Sequence, residues 1–251
     1  KNTLILQPMA LPTQNWYASW FDTPYYHILY KDRGYDEAQA FMRALMAYLK
    51  PKDSAKILDL ACGKGRHSVF LNSLGYNVTG VDLSKNSINH AKQYENESLT
   101  FKVHDMCKPT KNTYDVVLNL FTSFGYFEDD EDNLRTIKAI KEDLKQDGVA
   151  VIDFMNVANV ISNLVPTEVK TMKGIDFHIK RYVKNNHIYK DISFKDNDEQ
   201  FEFTEKVKAI TLDDFKTYFK KAGLTLINTF GDYQLNDFNL ETSKRLILVF
   251  K

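Results

Sequence analysis

The stretch ILDLACGKGRHS, residues 57–68, joins an apolar run to a turn that contains two glycines. The apolar run predicts a short buried strand, and the residues after the turn predict a helix. A glycine-rich turn between a strand and a helix lets a ligand approach the backbone and presents free N–H groups to it. The stretch therefore predicts an α/β fold with a ligand bound at the end of a strand.

The same order of elements continues along the chain, because short apolar runs alternate with amphipathic stretches. This alternation is typical of a parallel sheet covered by helices. Strands are predicted over residues 56–61, 77–82, 99–104, 114–120, 149–154, 224–230 and 245–250. Helices are predicted over residues 66–74, 84–94, 130–144 and 211–222.

A different pattern interrupts this order after the fifth strand. The runs DFHIKRYVK, HIYKDISFK and FEFTEKVKAI alternate apolar and polar residues with a period of two. Together they predict an antiparallel β insertion over roughly residues 170–210. We therefore divide the chain into an aromatic helical segment (1–50), a main α/β domain (51–157 and 211–251) and a β insertion that acts as a lid (158–210).

Composition narrows the classes of protein and partner. The 33 basic residues balance 33 acidic residues, so no net charge draws the chain to nucleic acid. Two cysteines, Cys62 and Cys107, are too few for a disulfide framework or a tetrahedral zinc site. No run of 18 apolar residues and no signal-peptide pattern is present. We expect a cytoplasmic protein that binds neither nucleic acid nor membrane.

Three classes of ligand compete for the glycine turn. A P-loop needs G-x-x-x-x-G-K-[ST], which the run GKGRHS does not match. A dinucleotide site needs a third glycine where Ser68 stands, which disfavours NAD. The third class is a cofactor without phosphate. Such a cofactor carries a ribose diol, and the carboxylate of Asp82, near the end of the second predicted strand, is suited to accept hydrogen bonds from that diol.

Two motifs at the expected separation carry a family resemblance. DLACGKG resembles motif I of the class I S-adenosylmethionine-dependent methyltransferases, and VTGVDLS resembles their motif II. The resemblance implies a Rossmann-like seven-stranded, mostly parallel sheet with helices on both faces, and S-adenosylmethionine as cofactor. It implies that the methionine portion lies against Gly63 and Gly65, and that Asp82 accepts the ribose hydroxyls.

The resemblance also implies cofactor contacts elsewhere on the same sheet edge. Asp105 and Met106 fall where members of the family bind adenine, and Leu83 would cover one face of that ring. Asn119 and Phe121 leave the sheet after the fourth strand, where the reactive methyl group of the cofactor would project. The remaining implied contacts are Asp59 and Ala61 for the cofactor, and Phe124 and Tyr126 for the substrate.

The aromatic segment before the first predicted strand carries another likeness. Residues 26–30, YHILY, resemble a Tyr-Asp-x-x-Tyr element that folds over the cofactor in related small-molecule methyltransferases, with His27 in place of the aspartate. The resemblance implies that Tyr26 or Tyr30 lies against the methionine end. Arg33 is a candidate donor to the cofactor carboxylate, with a solvent-exposed charge as the alternative.

Neither a catalytic residue nor a metal site is assigned from the sequence. Tyr126 and His27 are the polar groups expected nearest to the methyl acceptor, but packing or binding explains both. His67 is expected at the surface or behind the site. His178 and His187 lack further ligands for a metal.

We therefore expect an S-adenosylmethionine-dependent methyltransferase that acts on a small molecule by in-line displacement. An NAD(P)-dependent oxidoreductase and a cofactor-binding protein without turnover remain alternatives. A tRNA acceptor would require the basic residues of the insertion to form one face, namely Lys180, Arg181, Lys184 and Lys190. The sequence defines neither the acceptor atom nor the oligomeric state.

Overall fold

The computed structural model describes residues 19–30, 35–127 and 129–251, with only the backbone of residue 35. Its helices are α1 (Pro24–Leu29), α2 (Tyr35–Leu49), α3 (Arg66–Ser73), α4 (Lys85–Ala91), α5 (Asp130–Asp143), α6 (Val157–Ser162) and α7 (Leu212–Ala222). Its strands are β1 (Lys56–Leu60), β2 (Asn77–Asp82), β3 (Leu99–Val103), β4 (Tyr114–Asn119), β5 (Leu144–Met155), β6 (Thr167–Met172), β7 (Ile175–Lys184), β8 (His187–Asp196), β9 (Glu199–Lys208), β10 (Leu226–Phe230) and β11 (Arg245–Phe250).

Seven strands form the main sheet in the order β10-β11-β5-β4-β1-β2-β3. Strands β1 to β5 pair in parallel, whereas β11 runs antiparallel to both β5 and β10. The chain leaves β1 toward β2 and β3 on one side and returns to β4 on the other. The order therefore reverses between β1 and β4, and in open α/β sheets ligands bind at the carboxyl ends of such strands.

Helices cover both faces of this sheet. One face is packed by α5 and α7, whose buried side chains include Ile137 and Phe215. The other face is packed by α2, α3 and α4, with Phe41, Leu71 and Ile88 buried. The predicted fold class, a Rossmann-like sheet of seven mostly parallel strands with helices on both faces and an antiparallel β insertion after strand 5, is confirmed.

Local sequence accounts for several helix ends. Thr211 and Asp214 form a capping box at the start of α7, and Gly223 ends that helix in the left-handed conformation. Ser84 caps α4 by accepting a hydrogen bond from the backbone N–H of Ser87. The predicted strand β5 is longer than expected, because residues 144–148 pair irregularly with the start of β4 before the regular register begins at Val149.

Four strands form a second sheet in the order β6-β7-β8-β9, and every pair is antiparallel. We call it the insertion sheet. Its inner face buries Phe177, Ile192 and Phe194 against Trp20 and Leu29 of the N-terminal segment, which we define as residues 19–30. The sequence pattern predicted the meander but did not separate β6 as a strand.

The basic residues of the insertion do not form one face. Side chains alternate along a strand, so Lys180 and Lys184 project from one face of β7 and Arg181 projects from the other. Arg181 pairs with Lys190 across the strands, which places both on the inner face. The condition set for a tRNA acceptor is therefore not met. Within the described ranges, no helix is long and apolar enough to cross a membrane.

Candidate active site

A cavity of about 410 Å³ opens at the carboxyl ends of β1, β2, β3 and β4. This volume lies within the range of roughly 300 to 1,000 Å³ that is usual for small-molecule sites. Three parts of the chain contribute to its wall: the turns after the strands, the start of α3, and the N-terminal segment. The residues that line it include Phe21, Tyr26, His27, Tyr30, Asp59, Ala61, Cys62, Gly63, Lys64, Arg66, His67, Asp82, Leu83, Ser84, His104, Asp105, Met106, Leu120, Phe121, Ser123, Tyr126 and Phe127.

The two glycines of the turn after β1 have different surroundings. Gly63 lines the cavity with φ +56°, and a Cβ atom built there would meet no atom within 4 Å. Gly65 does not line the cavity. Its φ is +82°, and a Cβ atom there would lie 2.6 Å from the buried Phe101 ring. Gly65 is therefore required for packing beneath the turn, whereas Gly63 leaves backbone open beside the cavity.

Asp82 ties the end of β2 to the glycine turn. Its carboxylate accepts hydrogen bonds from the backbone N–H of Gly63 at 2.8 Å and of Ser84 at 2.8 Å. Burial raises the pKa of the Asp82 carboxyl above its ordinary value, while these two N–H donors oppose the shift. Each carboxylate oxygen retains a further acceptor position, because each carries two lone pairs.

Asp59 lies near the end of β1, four residues before Gly63. It is buried, and its carboxylate accepts a hydrogen bond of 2.6 Å from the Ser68 hydroxyl. Burial raises the pKa of the Asp59 carboxyl to about 6, and the nearby Asp82 charge acts in the same direction. Ser68, which occupies the position of the third glycine of a dinucleotide site, thus donates a hydrogen bond to Asp59 of the preceding strand.

The far end of the cavity is lined by Leu83, Asp105 and Met106. Leu83 exposes 44% of its surface beside the cavity. Asp105 accepts a hydrogen bond from the backbone N–H of Cys107, and Lys108 lies 3.3 Å away. The pKa of the Asp105 carboxyl is lowered because these hydrogen bonds and the lysine charge outweigh desolvation.

Asn119, at the end of β4, is fully buried and does not line the cavity. Its side-chain amide donates to the carbonyl of Leu60 at 3.3 Å and contacts the Met106 sulfur at 3.8 Å. Asn119 thus links β1, β4 and the turn after β3 from within the sheet. The predicted direct contact with the cofactor has no support in this placement.

The loop after β4 has a strained backbone beside the cavity. Phe121 and Thr122 both adopt positive φ, at +58° and +59°, which non-glycine residues rarely do. Asp153 of β5 holds this loop by accepting from the N–H of Phe121 through its side chain and from the N–H of Thr122 through its backbone carbonyl. Arg245 of β11 donates to the Asp153 carboxylate at 2.7 Å and to the Thr122 hydroxyl at 2.9 Å.

Sequence reasoning missed Asp153 and Arg245. Asp153 is fully buried, and burial raises its pKa although the Arg245 charge opposes the shift. A signal was available, because a carboxylate in the apolar run VAVIDFM needs a partner when the strand is buried. The partner could not be identified, since Arg245 lies 92 residues further along the chain.

His67 does not lie at the surface, which was one of its two expected placements, because the structure buries it. The His67 ring stacks on the Phe121 ring with centroids 4.7 Å apart. The Arg66 guanidinium lies 4.7 Å from the centroid of the Phe121 ring. Burial and the Arg66 charge lower the pKa of His67 to about 3, so its imidazole is neutral. In the part of the chain that the structure describes, the buried Nε2 atom of His67 has no hydrogen-bond partner.

Of the two predicted substrate residues, only Tyr126 lines the cavity. Its hydroxyl donates to the carbonyl of Thr122, and its ring meets Phe21 with centroids 5.2 Å apart. Phe124 is fully buried in the core, where it packs against Phe215. Phe124 therefore supports the loop from below and does not face the cavity.

The N-terminal segment brings an aromatic wall to the cavity. Tyr26 and Tyr30 line it together with Phe21 and His27. Burial, and then the charge of Lys64, lower the pKa of His27. The predicted contact at Arg33 lies outside the described residues. No cluster of three or more metal-binding side chains occurs over the ranges that the structure describes.

Part of the chain is similar to a known family of proteins. Residues 57–148 match the family model described as "Methyltransferase domain". A protein of Geobacillus sp. (strain WCH70), named as a methyltransferase, is 23% identical over 272 residues, which cover 94% of this chain and 98% of the relative.

Solved structures share the fold over most of the chain. An S-adenosylmethionine-dependent methyltransferase from Clostridium acetobutylicum superposes with a TM-score of 0.76 at 19% identity, covering 90% of this chain and 95% of that protein. The sugar N-methyltransferase KedS8 from Streptoalloteichus sp. superposes with a TM-score of 0.69 at 18% identity, covering 89% of this chain and 92% of that protein. The likeness of fold therefore extends well beyond the residues that the family model matches.

Proposed function

We propose that the chain is a class I S-adenosylmethionine-dependent methyltransferase, which transfers a methyl group to a small-molecule acceptor by in-line displacement. The observation that carries the proposal is the pairing of Gly63 with Asp82 at the point where the strand order reverses. This pairing puts open backbone and a buried carboxylate side by side in one cavity. A nucleoside that continues into an amino acid requires both features.

The nucleoside half would lie between β2 and β3. Asp82 would accept the two ribose hydroxyls at the acceptor positions left by Gly63 and Ser84. Leu83 and Met106 would cover the two faces of adenine, which removes the exposed surface of Leu83 from water. Asp105 would accept a hydrogen bond from the adenine amino group.

The methionine half would lie against the glycine turn. Gly63 offers bare backbone there, and Asp59 and Asp82 supply negative charge for the cofactor ammonium. When bound, S-adenosylmethionine supplies an electrophilic methyl group on a sulfonium centre. Tyr26 and Tyr30 of the N-terminal segment would close this end of the cavity against water.

The acceptor would lie beside Phe121 and Tyr126, where the strained loop meets the N-terminal segment. These two residues would hold the acceptor atom about 3 to 3.5 Å from the methyl group with aligned orbitals. The neutral His67 ring, stacked on Phe121, presents a buried nitrogen that a polar group of the ligand would satisfy. No residue is needed as a strong base if the acceptor is a neutral amine.

The size and closure of the cavity favour a small acceptor over a macromolecule. About 410 Å³ is divided between cofactor and acceptor, and the N-terminal segment forms one wall. The similarity to KedS8, a sugar N-methyltransferase, supports the same class of acceptor. The four basic residues considered for nucleic acid, Lys180, Arg181, Lys184 and Lys190, are divided between the two faces of the insertion sheet.

Calorimetric titration with S-adenosylhomocysteine and S-adenosylmethionine tests the cofactor site, with NADH as the test of the oxidoreductase alternative. We expect both sulfur nucleotides to bind and NADH not to bind. The Asp82→Ala variant should bind them about tenfold or more weakly, because a charge-assisted contact to the ribose is lost.

Asp115→Asn is the matched control. Asp115 lies at the amino end of β4, where its side chain accepts from Lys145 at 2.7 Å, far from the cavity lining. Its variant should bind S-adenosylhomocysteine as the unmodified protein does. Binding of NADH alone, or equal affinities for the Asp82 and Asp115 variants, would overturn the proposed site.

A further inference from the structure

A charged pair of the insertion sheet lies behind the aromatic wall of the cavity. Lys190 of β8 and Glu205 of β9 are directly opposite each other across the two strands. Their Nζ and Oε2 atoms are 3.9 Å apart, and only 16% and 15% of the two side chains are exposed. A charged pair this far from water requires further polar partners.

Glu205 finds those partners on the N-terminal segment. Its Oε1 atom accepts a hydrogen bond of 2.8 Å from the indole N–H of Trp20 and one of 2.6 Å from the Tyr30 hydroxyl. The Trp20 ring also packs on Phe203, which precedes Glu205 by two residues on the same face of β9. One carboxylate therefore binds both ends of the N-terminal segment.

Lys190 completes the arrangement around Tyr30. Its ammonium donates a hydrogen bond to the Tyr30 hydroxyl and lies 4.4 Å from the centroid of the Tyr30 ring. The hydroxyl thus accepts from Lys190 and donates to Glu205, which fixes its direction. Tyr30 itself lines the cavity, where its ring lies 4.9 Å from that of Tyr26.

A second attachment joins the same segment to the main sheet. The Asp22 carboxylate accepts hydrogen bonds from Ser84 and Asn86, both at 2.5 Å, at the start of α4. Ser84 follows Asp82 by two residues and lines the cavity. The N-terminal segment is therefore held between the cofactor edge of the main sheet and the charged pair of the insertion sheet.

We propose that Glu205 and Lys190 are positioning residues, which hold Tyr30 and Trp20 so that the N-terminal segment closes the cofactor cavity. This inference rests on the proposed function. Through Glu205 and Lys190, the insertion sheet affects cofactor binding although these two residues do not line the cavity. When the segment is released, the closed state becomes less populated, and the apparent affinity for the cofactor falls by the same fraction.

The test uses Glu205→Gln, which keeps the size of the side chain and removes its charge. Calorimetric titration with S-adenosylhomocysteine should give a dissociation constant about tenfold higher than that of the unmodified protein, if the closed population falls to about one tenth. Glu168→Gln is the matched control, because Glu168 also pairs with a basic residue of the insertion sheet, Arg181, and does not line the cavity. Its affinity should not change.

Trp20 supplies a spectroscopic readout that does not depend on the acceptor. The chain has two tryptophans, so Trp16→Phe leaves Trp20 as the only source of tryptophan emission. In that background, Glu205→Gln should shift the Trp20 emission, and saturating S-adenosylhomocysteine should return it toward that of the Trp16→Phe protein. Glu168→Gln should leave the emission unchanged.

The outcomes separate the two proposals. If neither the unmodified protein nor the Glu168 variant binds S-adenosylhomocysteine, the proposed function fails and the positioning role fails with it. If both bind it and Glu205→Gln binds within twofold of them, only the positioning role is overturned. Glu205→Gln alone leaves the Lys190 ammonium buried without its carboxylate partner, whereas the double variant Glu205→Gln/Lys190→Met removes both charges. If the double variant also binds weakly, the loss of affinity does not come from the unpaired lysine charge.

Discussion

Two sides of the same cavity are built in different ways. We call the residues at the carboxyl ends of β1, β2, β3 and β4 the floor, and the N-terminal segment, residues 19–30, the roof. The floor depends on contacts that involve the backbone of neighbouring elements, such as the hydrogen bond from the Gly63 N–H to the Asp82 carboxylate, 19 residues away. The roof is set by side chains that meet across 175 residues, from Tyr30 to Glu205, and across 185 residues, from Trp20 to Glu205.

This difference determines what each side tolerates. A backbone contact in a tight turn demands a particular residue type, because only glycine adopts the conformation without strain or clash. A side-chain contact demands only complementary charge and reach, so many residue pairs could serve. We therefore expect substitutions of glycine in the floor to affect folding and substitutions in the roof to affect closure.

The largest expected effect is on the pair Asp153 and Arg245, which supports the floor below the strained loop. Arg245→Ala leaves a fully buried carboxylate without its charged partner, so we expect a loss of about 3 to 5 kcal/mol in the free energy of unfolding. Arg181→Ala, which breaks the exposed pair with Glu168 on the insertion sheet, should cost about 0 to 1 kcal/mol. Urea denaturation of both variants measures the difference.

The same pair gives a pH signature. Because the pKa of Asp153 is raised in the folded protein, its contribution to stability is greatest at low pH and is lost as pH rises through the folded pKa. Without the opposing charge of Arg245 that pKa rises further, so the deficit of Arg245→Ala should shrink as pH falls. An equal deficit at all pH values, or equal losses for Arg245→Ala and Arg181→Ala, would remove the distinction between the two regions.

A smaller effect is expected at two glycines with almost the same backbone angle. Gly65 in the floor and Gly174 in the insertion sheet have φ of +82° and +81°, but only Gly65 has a neighbour, Phe101, in the space of a Cβ atom. Gly174→Ala should cost about 1 to 2 kcal/mol from the backbone alone. Gly65→Ala should cost about 2 to 4 kcal/mol, because overpacking against Phe101 is added. Thermal unfolding monitored by circular dichroism checks both, and equal shifts in Tm would show that Phe101 yields at no cost.

The same contrast explains how far the sequence could be interpreted. The order of strands and helices and the insertion followed from periodicity, because those features depend on neighbouring residues. The cavity positions of Gly63, Asp82 and Asp105 followed from the family resemblance that the two motifs carry. The roles of Glu205 and Arg245 could not be predicted. Each meets its partner only after the sheets have assembled, and each looks like a solvent-exposed charge in the sequence.

Individual errors have the same origin. Phe124 belongs to a stretch that lies beside the cavity, but the direction of its side chain was not available from the pattern. Phe124 points into the core, where its ring contacts that of Phe215. A one-residue change of direction in a loop exchanges a binding role for a packing role.

Hydrogen exchange with and without S-adenosylhomocysteine, followed by mass spectrometry, tests most directly whether floor and roof form one cofactor site. We predict slower exchange in the glycine turn after β1 and in the N-terminal segment together, while β10, which lies at the edge of the main sheet and does not line the cavity, remains unchanged. Slower exchange of the floor alone, with the N-terminal segment unaffected, would contradict the claim that the two regions close on one ligand. Unchanged exchange in both regions would contradict the cofactor site itself.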